Sequence, residues 1–456
     1  MVSTANLKRS SEGVIRGAVY SPPAGGRCPD YHRRVTVTEA RGAVDAVWRI
    51  ESARIIAGVA RIVRDVGLAE ELAQDALVAA LEQWPESGVP RNPGAWLMAI
   101  AKRRAIDLIR RKETYQRKLA EMGHQLEIDS NGVEDSVEDQ VEAILEDHIE
   151  DDLLRLVFTA CHPVLTMDAR VTLTLKLLGG LKTDEIARAF LAPESTIAQR
   201  IVRAKRNLAK AGVEFEVPAG DELLDRLTSV LEVVYLIYNE GYSATAGDDW
   251  MRPALCNEAM RLGRLLAELM PTEPEVHGLL ALMELQSSRA NARIGPEGEP
   301  VLLLDQDRRR WDRLLIRRGL EGLERAWALD KPPGPYLLQA AIAACHARAA
   351  DPGETDWARI AGLYAVLARV TPSPVVELNQ AVAISMAFGP ERGLEAVDLL
   401  ADEPSLKDYH LLPSVRGDLL FKLGRLDEAR TEFEKAAALT RNERERTLLL
   451  ERAAAC

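Results

Sequence analysis

The sequence has few of the features that mark secreted, membrane-embedded or disulfide-stabilised proteins. Its five cysteines, spread over 456 residues, are odd in number and far apart, so they do not form a disulfide framework. No run of about 18 apolar residues occurs, which excludes an ordinary membrane-spanning helix. The N-terminus also lacks the basic start and apolar stretch of a signal peptide. These absences predict a cytoplasmic protein.

Aromatic residues are scarce as well, at 5% of the chain, whereas the helix formers Ala, Leu, Glu and Arg dominate. This composition predicts an all-α protein. The length allows about three domains of roughly 100–200 residues each. The motifs GxxxxGK[ST], GxSxG and HExxH are absent, so neither an enzyme activity nor a cofactor is predicted.

Cysteine and histidine stand side by side twice, at Cys161–His162 and at Cys345–His346. A metal site needs about four converging ligands, and no further pair lies at a suitable spacing, so core positions are predicted and no metal site. The stretch DQDRRRWD, residues 305–312, is dense in charge. A metal or phosphate site is one interpretation, but its alternating signs favour an ion-pair cluster or a partner-contacting loop.

The net charge of −12 conceals blocks of a single sign. Seven basic residues and one acid lie between Arg91 and Lys112, and thirteen acids without any Lys or Arg lie between Glu121 and Asp152. Four basic residues and no acid lie between Gln199 and Arg206. Such segregation indicates that these segments face different partners.

The last of these blocks has the spacing of a helix-turn-helix. Thr183 is predicted to cap a first helix, Leu191-Ala192-Pro193 to end it, and Pro193 to start a second. One side of the second helix is apolar: Ile197, Ile201, Ala204 and Leu208. The other side carries amide, hydroxyl and guanidinium groups, the pattern by which a recognition helix contacts a major groove and its phosphates. A solvated amphipathic helix is the alternative.

Upstream, three helices are predicted. Residues 45–63 form the first, with Ile50 on its apolar stripe, and 68–84 form the second, ending at Pro85. The outer face of the second is acidic: Glu70, Glu71, Asp75 and Glu82. The third, 94–112, is basic.

Residues 217–456 read as successive helix pairs that recur at about 36–40 residues. Between 411 and 439, small and large residues fall where a tetratricopeptide repeat requires them. These are Gly417, Ala429 and Ala436, which let paired helices approach, and Leu420 and Phe433, which fill the space between repeats. A helical solenoid is therefore predicted.

Two separated blocks resemble a bacterial extracytoplasmic-function sigma factor. DVGLAEELAQDALVAALEQWP with NPGAWLMAIAKRRAIDLIRRK is similar to sigma region 2, and DARVTLTLKLLGGLKTDEIARAFLAPESTIAQRIVRAKRNL is similar to region 4. The remainder, with LEVVYLIYNEGY and LLLDQDRRRWD, resembles the subgroup that carries a C-terminal tetratricopeptide-like extension. The composition of the first residues predicts a disordered tail (1–44), and the resemblance implies region 2 (45–114), an acidic linker (115–150), region 4 (151–216) and the helical extension (217–456).

The resemblance also implies partners and site residues. Region 4 would read the −35 promoter element through Pro193, Glu194, Ser195, Thr196, Gln199, Arg200, Arg203 and Arg206. Region 2 would hold the −10 element, with candidates Trp96, Arg103, Arg104, Arg110, Arg111 and Lys112. Core RNA polymerase, through its β′ and β subunits, would be the protein partner, with Glu71, Gln74 and Asp75 docking on a β′ coiled coil. No membrane partner is implied.

Several alternatives stay open at this point. Many family members have Asn at the position of Arg103, so whether this side chain meets a base or a phosphate is undecided. For Trp96, packing in the core is favoured over stacking on a base. The acidic linker would occupy the polymerase channel as a nucleic-acid mimic or serve as a tether. The extension would regulate or strengthen polymerase binding by contacting the sigma core or polymerase.

Two other functions can be distinguished from that of a sigma factor. A stand-alone helix-turn-helix regulator with a repeat sensor would have no use for the block at 68–112. A scaffold built on the repeats would be insensitive to alanine at Arg200 and Arg203.

Overall fold

The computed structural model of the chain describes residues 37–123, 149–190, 192–242, 251–295, 301–440 and 443–456. Every extended regular element in these ranges is a helix, so the predicted all-α class is confirmed. Most of the acidic linker, and the tail before residue 37, lie outside the described residues. In the part of the chain that is described, no helix has both the length and the apolar character needed to cross a membrane.

The first three helices form a bundle in which α1 packs against both others. Their bounds are α1 Val37–Val63, α2 Val66–Ser87 and α3 Pro93–Gly123. Buried residues four apart supply the contact faces, for example Ala40 and Val44 in α1 and Leu97 and Ala101 in α3. Because Ala40 and Val44 are part of this core, the predicted tail to residue 44 was too long by the eight residues from 37.

Two further predictions in this bundle were wrong. Ile50 is 71% exposed rather than part of the apolar stripe of α1. Helix α2 does not stop at Pro85 but continues to Ser87, where Gly88 ends it with a positive φ of 82°.

Four shorter helices follow. They are α4 Ile149–Ala160, α5 Met167–Leu177, α6 Thr183–Ala189 and α7 Glu194–Lys210. Helix α4 packs against α1, and α7 touches α2, so the second group of helices lies directly on the first.

The remaining helices form a run in which each one packs against its neighbour in sequence. The first half contains α8 Asp221–Tyr242, α9 Pro253–Leu269, α10 Pro274–Ser287, α11 Arg313–Ala328 and α12 Pro335–Arg348. The second half contains α13 Trp357–Val370, α14 Pro374–Phe388, α15 Pro390–Asp398, α16 Leu411–Lys422, α17 Leu426–Leu439 and α18 Glu443–Ala454.

The small residues of the last repeat lie where the helices approach most closely. Gly417, Ala429 and Ala436 are buried together with Leu420 and Phe433. A Cβ at Gly417 would be 3.0 Å from the Phe433 ring, so the glycine leaves room for that ring. This agrees with the packing logic from which the solenoid was predicted.

The hydrophobic core does not follow the predicted domain boundaries. One continuous cluster of buried residues runs from α1 through α12, and two smaller clusters stabilise the end of the chain. The first seven helices and the start of the extension therefore share a single core.

Candidate nucleic-acid and polymerase interfaces

Helices α6 and α7 form the predicted helix-turn-helix. Helix α6 starts at Thr183, with Lys182 rather than Thr183 at the N-cap position, and the Glu185 carboxylate accepts a 2.9 Å hydrogen bond from the Lys182 amide. Pro193 is the N-cap of α7. The predicted apolar stripe of Ile197, Ile201, Ala204 and Leu208 is buried in full. That burial fixes which side of α7 faces outward.

The outward side of α7 carries the residues predicted for the −35 element. Seven of the eight are exposed, namely Pro193, Glu194, Ser195, Thr196, Gln199, Arg203 and Arg206. Arg200 is half-buried, and its guanidinium lies 3.1 Å from Asp168 on α5. Within the described residues, Arg203 and Arg206 have no carboxylate at ion-pair distance. These two guanidiniums are therefore available to an anionic partner.

The residues predicted for the −10 element all lie on α3. Arg103, Arg110, Arg111 and Lys112 are exposed. Arg103 and Arg110 line a groove of about 880 Å³ between α3 and α1, together with Arg54 and Lys102. Only two acids, Glu51 and Asp107, line the same groove, so its charge is positive.

Trp96, the remaining aromatic candidate, is partly buried and packs against the core. Its ring meets Trp84 edge-on, with the ring centroids 5.6 Å apart and the planes at 64°. This contact supports the core-packing interpretation over base stacking.

The three residues predicted for polymerase contact, Glu71, Gln74 and Asp75, are all exposed on α2. The Asp75 carboxylate lies 3.3 Å from the Arg104 guanidinium on α3. A residue predicted to dock on polymerase is thus paired with one predicted to contact the −10 element.

Glu70, which was predicted on the outer face of α2, is only 2% exposed. Its carboxylate forms ion pairs with Lys205 of α7 and, at 3.6 Å, with Lys176 of α5, and it accepts a 2.7 Å hydrogen bond from Gln74. The sequence prediction was wrong here because a helical wheel of α2 alone cannot show that α5 and α7 lie against it. The Lys205 ammonium, although it lies in the basic block of α7, is occupied by this pair.

Exposed ion pairs join α1 to the segment around α6. The Lys182 ammonium lies 2.9 Å from Asp45, and Arg49 pairs with Glu185. Between them Gly180 has a φ of 64°, and a Cβ there would lie 2.6 Å from the Ser52 hydroxyl. Only glycine satisfies both the left-handed backbone and this close approach.

A buried carboxylate strengthens the contact between α1 and α4. Asp152 is 4% exposed and lies 3.6 Å from the Arg61 guanidinium and 2.8 Å from that of Arg155. Burial raises the pKa of this carboxyl although both arginines oppose the shift. Arginines from two helices, rather than solvent, surround this carboxyl.

Three arginines of the extension donate to carbonyls at the ends of the second group of helices. Arg226 donates to Phe158 at 2.9 Å, in the last turn of α4. Arg252 donates to Ala189 at 2.6 Å, the last residue of α6, and Arg261 donates to Leu178, which caps α5. Helix C-termini carry unpaired carbonyls and negative partial charge, so guanidiniums stabilise them.

Sequence reasoning missed these arginines and Glu70. Arg226 and Arg261 lie in ordinary amphipathic helices and Arg252 directly precedes one, and no local spacing distinguishes them from solvated arginines. Their role depends on contacts with residues 63 to 83 positions away in sequence.

Both cysteines of the cysteine–histidine pairs are buried, as predicted for core positions, whereas His162 and His346 are partly buried. Cys161 is buried, donates or accepts a 3.3 Å hydrogen bond with Thr174, and burial raises the pKa of its thiol to about 11. His346 packs edge-on against Trp357, and burial lowers its pKa to about 4. The described residues hold no cluster of three or more His, Cys, Asp or Glu side chains arranged for a metal ion.

The charged stretch 305–312 forms bonds within itself and to the end of α12. Asp307 pairs with Arg309, and Asp312 caps α11. Arg308 is buried and donates to the carbonyls of His346 and Ala349 at the end of α12. These bonds favour the structural interpretation of the stretch.

Comparison with known proteins gives matches in the order of these elements. Residues 50–115 match the family Sigma-70 region 2, residues 155–208 match Sigma-70, region 4, and residues 226–327 match a family of unknown function, DUF6596.

Whole-chain similarity adds two kinds of relative. An uncharacterized protein of Rhizobium meliloti (strain 1021) is 44% identical over 382 residues, which cover 84% of this chain and 88% of that protein. The ECF RNA polymerase sigma factor SigK of Mycobacterium tuberculosis (strain ATCC 25618 / H37Rv) is 30% identical over 156 residues, 34% of this chain and 78% of SigK. SigK of Mycobacterium ulcerans (strain Agy99) is 30% identical over 177 residues, 37% of this chain and 87% of that SigK.

Proposed function

The chain belongs to the ECF RNA polymerase sigma factors, and from this premise we propose that it directs core RNA polymerase to a set of promoters read by α7 and α3. The observation that carries the proposal is the pairing of two outward basic surfaces, on α7 and on α3, in one chain. A stand-alone helix-turn-helix regulator accounts for the first surface and leaves the second without a role.

Helix α7 is proposed to read the −35 element as duplex DNA. Gln199 and Arg203 have side chains that form bidentate hydrogen bonds with base edges, while Arg206 suits a phosphate. Each is exposed on the side opposite the buried stripe, so α7 can enter a major groove without disturbing its own core.

Helix α3 is proposed to hold the −10 element after strand separation. Unpaired bases need a protein groove, and their backbone needs positive charge along it. The groove between α1 and α3 offers both, with Arg103 and Arg110 on one wall and Arg54 on the other. We assign Arg103 to the DNA backbone, since a guanidinium cannot accept the hydrogen bonds that an Asn amide accepts.

Core polymerase is proposed to bind the acidic face of α2 through Glu71, Gln74 and Asp75, with the β′ subunit as the acceptor. A basic surface on polymerase would compete with Arg104 for the Asp75 carboxylate. Docking would then free Arg104 for promoter DNA, which couples polymerase binding to −10 recognition.

The extension is proposed to regulate this activity by holding the first seven helices in a closed arrangement, which we define as the one in which α7 contacts α2. Its arginines donate to carbonyls at the C-terminal ends of α4, α5 and α6, and α7, which follows α6, is joined to α2 by the ion pair of Lys205 with Glu70. Release of α7 from α2 would let the two DNA-reading surfaces separate.

The test is transcription in vitro with the full chain, core polymerase of a bacterium that carries this protein, and fragmented DNA of that genome. Sequencing of transcript 5′ ends should give discrete start points that share two upstream elements. The double variant Glu71→Lys, Asp75→Lys should lose these starts and also lose co-purification with core polymerase. If the full chain yields no start points beyond those of core polymerase alone, the proposal fails.

A further inference from the structure

We propose that a cleft at the junction of α1, the α5–α6 segment and α9 binds a small amphipathic anion, a molecule with a carboxylate or phosphate head and an apolar body. The binding site itself does not depend on the proposed function; only its effect on transcription does.

The cleft has a volume of about 640 Å³. This falls within the range of roughly 300–1,000 Å³ typical of small-molecule sites, which also favour junctions between domains. Helix α1 contributes Arg49 and Ile50, the α5–α6 segment contributes Leu181 and Arg188, and α9 contributes Leu255.

Positive charge exceeds negative charge along its walls. Four arginines line the cleft, at 49, 188, 252 and 261, against two glutamates, at 185 and 258. All four arginines are paired with carboxylates, Arg188 with Asp184 and Arg252 with Glu240 outside the lining, so an anion is favoured where an exposed guanidinium can leave its partner.

The four arginines are not equivalent. Arg252 and Arg261 donate to helix-end carbonyls and so serve the structure. The side chains of Arg49 and Arg188 are 66% and 69% exposed, and each pairs with a carboxylate near the surface. Exposed ion pairs are weak, so these two guanidiniums can turn to a ligand head group at little cost.

The remainder of the lining is apolar. Leu255 is 2% exposed, Leu181 is partly buried, and Ile50 is 71% exposed beside them. A purely polar ion would leave Ile50 in water, whereas an apolar body would cover it. The proposed ligand therefore needs both a charged and an apolar part.

A ligand in this cleft touches α1 on one side and the helix-turn-helix on the other. It would hold the closed arrangement and lower transcription, as mass action requires of any ligand that binds one arrangement alone. This consequence rests on the proposed function.

Binding can be measured on the full chain without polymerase or DNA. Isothermal titration with decanoate, decyl phosphate and decanol separates head-group charge from the apolar chain. We expect decanoate or decyl phosphate to bind at one site and decanol to bind at least tenfold more weakly. The anion that binds more tightly shows whether the site prefers a carboxylate or a phosphate head group.

Variants locate the site. Ile50→Glu and Arg188→Glu should each weaken binding at least tenfold. Leu399→Glu, the same kind of change at an apolar residue 87% exposed in the extension, should leave it unchanged. Circular dichroism confirms that each variant keeps its helix content.

Equal affinity for decanol, no binding of either anion at millimolar concentration, or binding that survives both cleft variants would each overturn the site. If the anion binds but transcription is unaffected, the site stands and its regulatory consequence fails. If transcription occurs and no anion binds, only this inference is lost.

Discussion

Lys205 of α7 and Glu70 of α2 form an ion pair that joins the helix proposed to read the −35 element to the helix proposed to dock on polymerase. The carboxylate is 2% exposed, and Lys176 approaches its other oxygen at 3.6 Å. A buried charge is tolerated only when it is paired, so this contact holds two otherwise separate blocks in one arrangement.

Replacing this carboxylate should destabilise the closed arrangement. Glu70→Gln leaves two lysines without their partner, and removal of one side of a buried pair costs about 3–5 kcal/mol. We expect the free energy of unfolding to fall by an amount near the lower end of this range, because Lys205 retains 19% exposure and can turn toward water. Urea unfolding of the full chain measures it. Glu71→Gln, at the exposed neighbouring position, is the control and should change stability by less than about 0.5 kcal/mol.

Arg203 should contribute sequence recognition. Arg203→Ala removes a side chain suited to base edges and is expected to weaken binding to the preferred −35 sequence by about 1–3 kcal/mol, with discrimination lost at one base pair. Lys210→Ala, in the last turn of α7, should instead weaken all sequences equally and lower the salt dependence. Competition binding of polymerase holoenzyme at several salt concentrations separates these outcomes. Uniform weakening by Arg203→Ala would contradict the base-reading role.

Polymerase binding should depend on one part of the acidic surface of α2. Asp75→Lys reverses a charge that is 61% exposed and should weaken binding to core polymerase by at least tenfold. Glu82→Lys makes the same change on the same helix two turns away and should have little effect. Fluorescence anisotropy of labelled chain with core polymerase provides the measurement. Equal losses for both variants would indicate a general charge effect.

The extension should stabilise the helix-turn-helix directly. Arg252→Ala removes a charged hydrogen bond to Ala189 and an ion pair with Glu240, and should cost at least about 1.5–3 kcal/mol of local stability. Hydrogen exchange should then quicken in α6 and α7 before it quickens in α16 or α17. Arg318→Ala, on the exposed side of α11, is the matched control. Unchanged exchange in α6 would show that the arginine contact adds no stability.

Stability should fall in mild acid through His346. Burial, with Arg289 and Arg308 nearby, lowers the pKa of this imidazole from 6.5 to about 4, so the folded chain keeps it neutral where the unfolded chain protonates it. The neutral imidazole therefore contributes fully to the free energy of unfolding above pH 6.5. This contribution, up to about 3 kcal/mol, is lost as the pH falls toward 4. His346→Gln should flatten the fall in unfolding free energy over that range. An unchanged slope would contradict a neutral buried imidazole.

Local patterns in the sequence were sufficient for several elements. The stripe of Ile197, Ile201, Ala204 and Leu208 predicted α7 and its outward side, since a helix of period 3.6 buries every third or fourth residue. The spacing of Gly417 and Phe433 likewise predicted the packing of the last repeat, in which the glycine leaves room for the phenylalanine ring.

Other features follow only from distant contacts. Glu70 has the local pattern of a solvated acid, and Ile50 that of a core residue, yet the structure reverses both. For Glu70 the deciding neighbours are Lys176 and Lys205, which lie more than a hundred residues away in sequence.

The amino-acid sequence by itself determined the helical class, the position of the helix-turn-helix and the basic and acidic surfaces, because these follow from spacing within one helix. Only the tertiary structure decided that the segments matching Sigma-70 region 2 and region 4 share one core with the start of the extension, and that arginines of the extension donate to the helix ends of the second segment. Packing between helices depends on shape and charge brought together across the chain, and no local period encodes it.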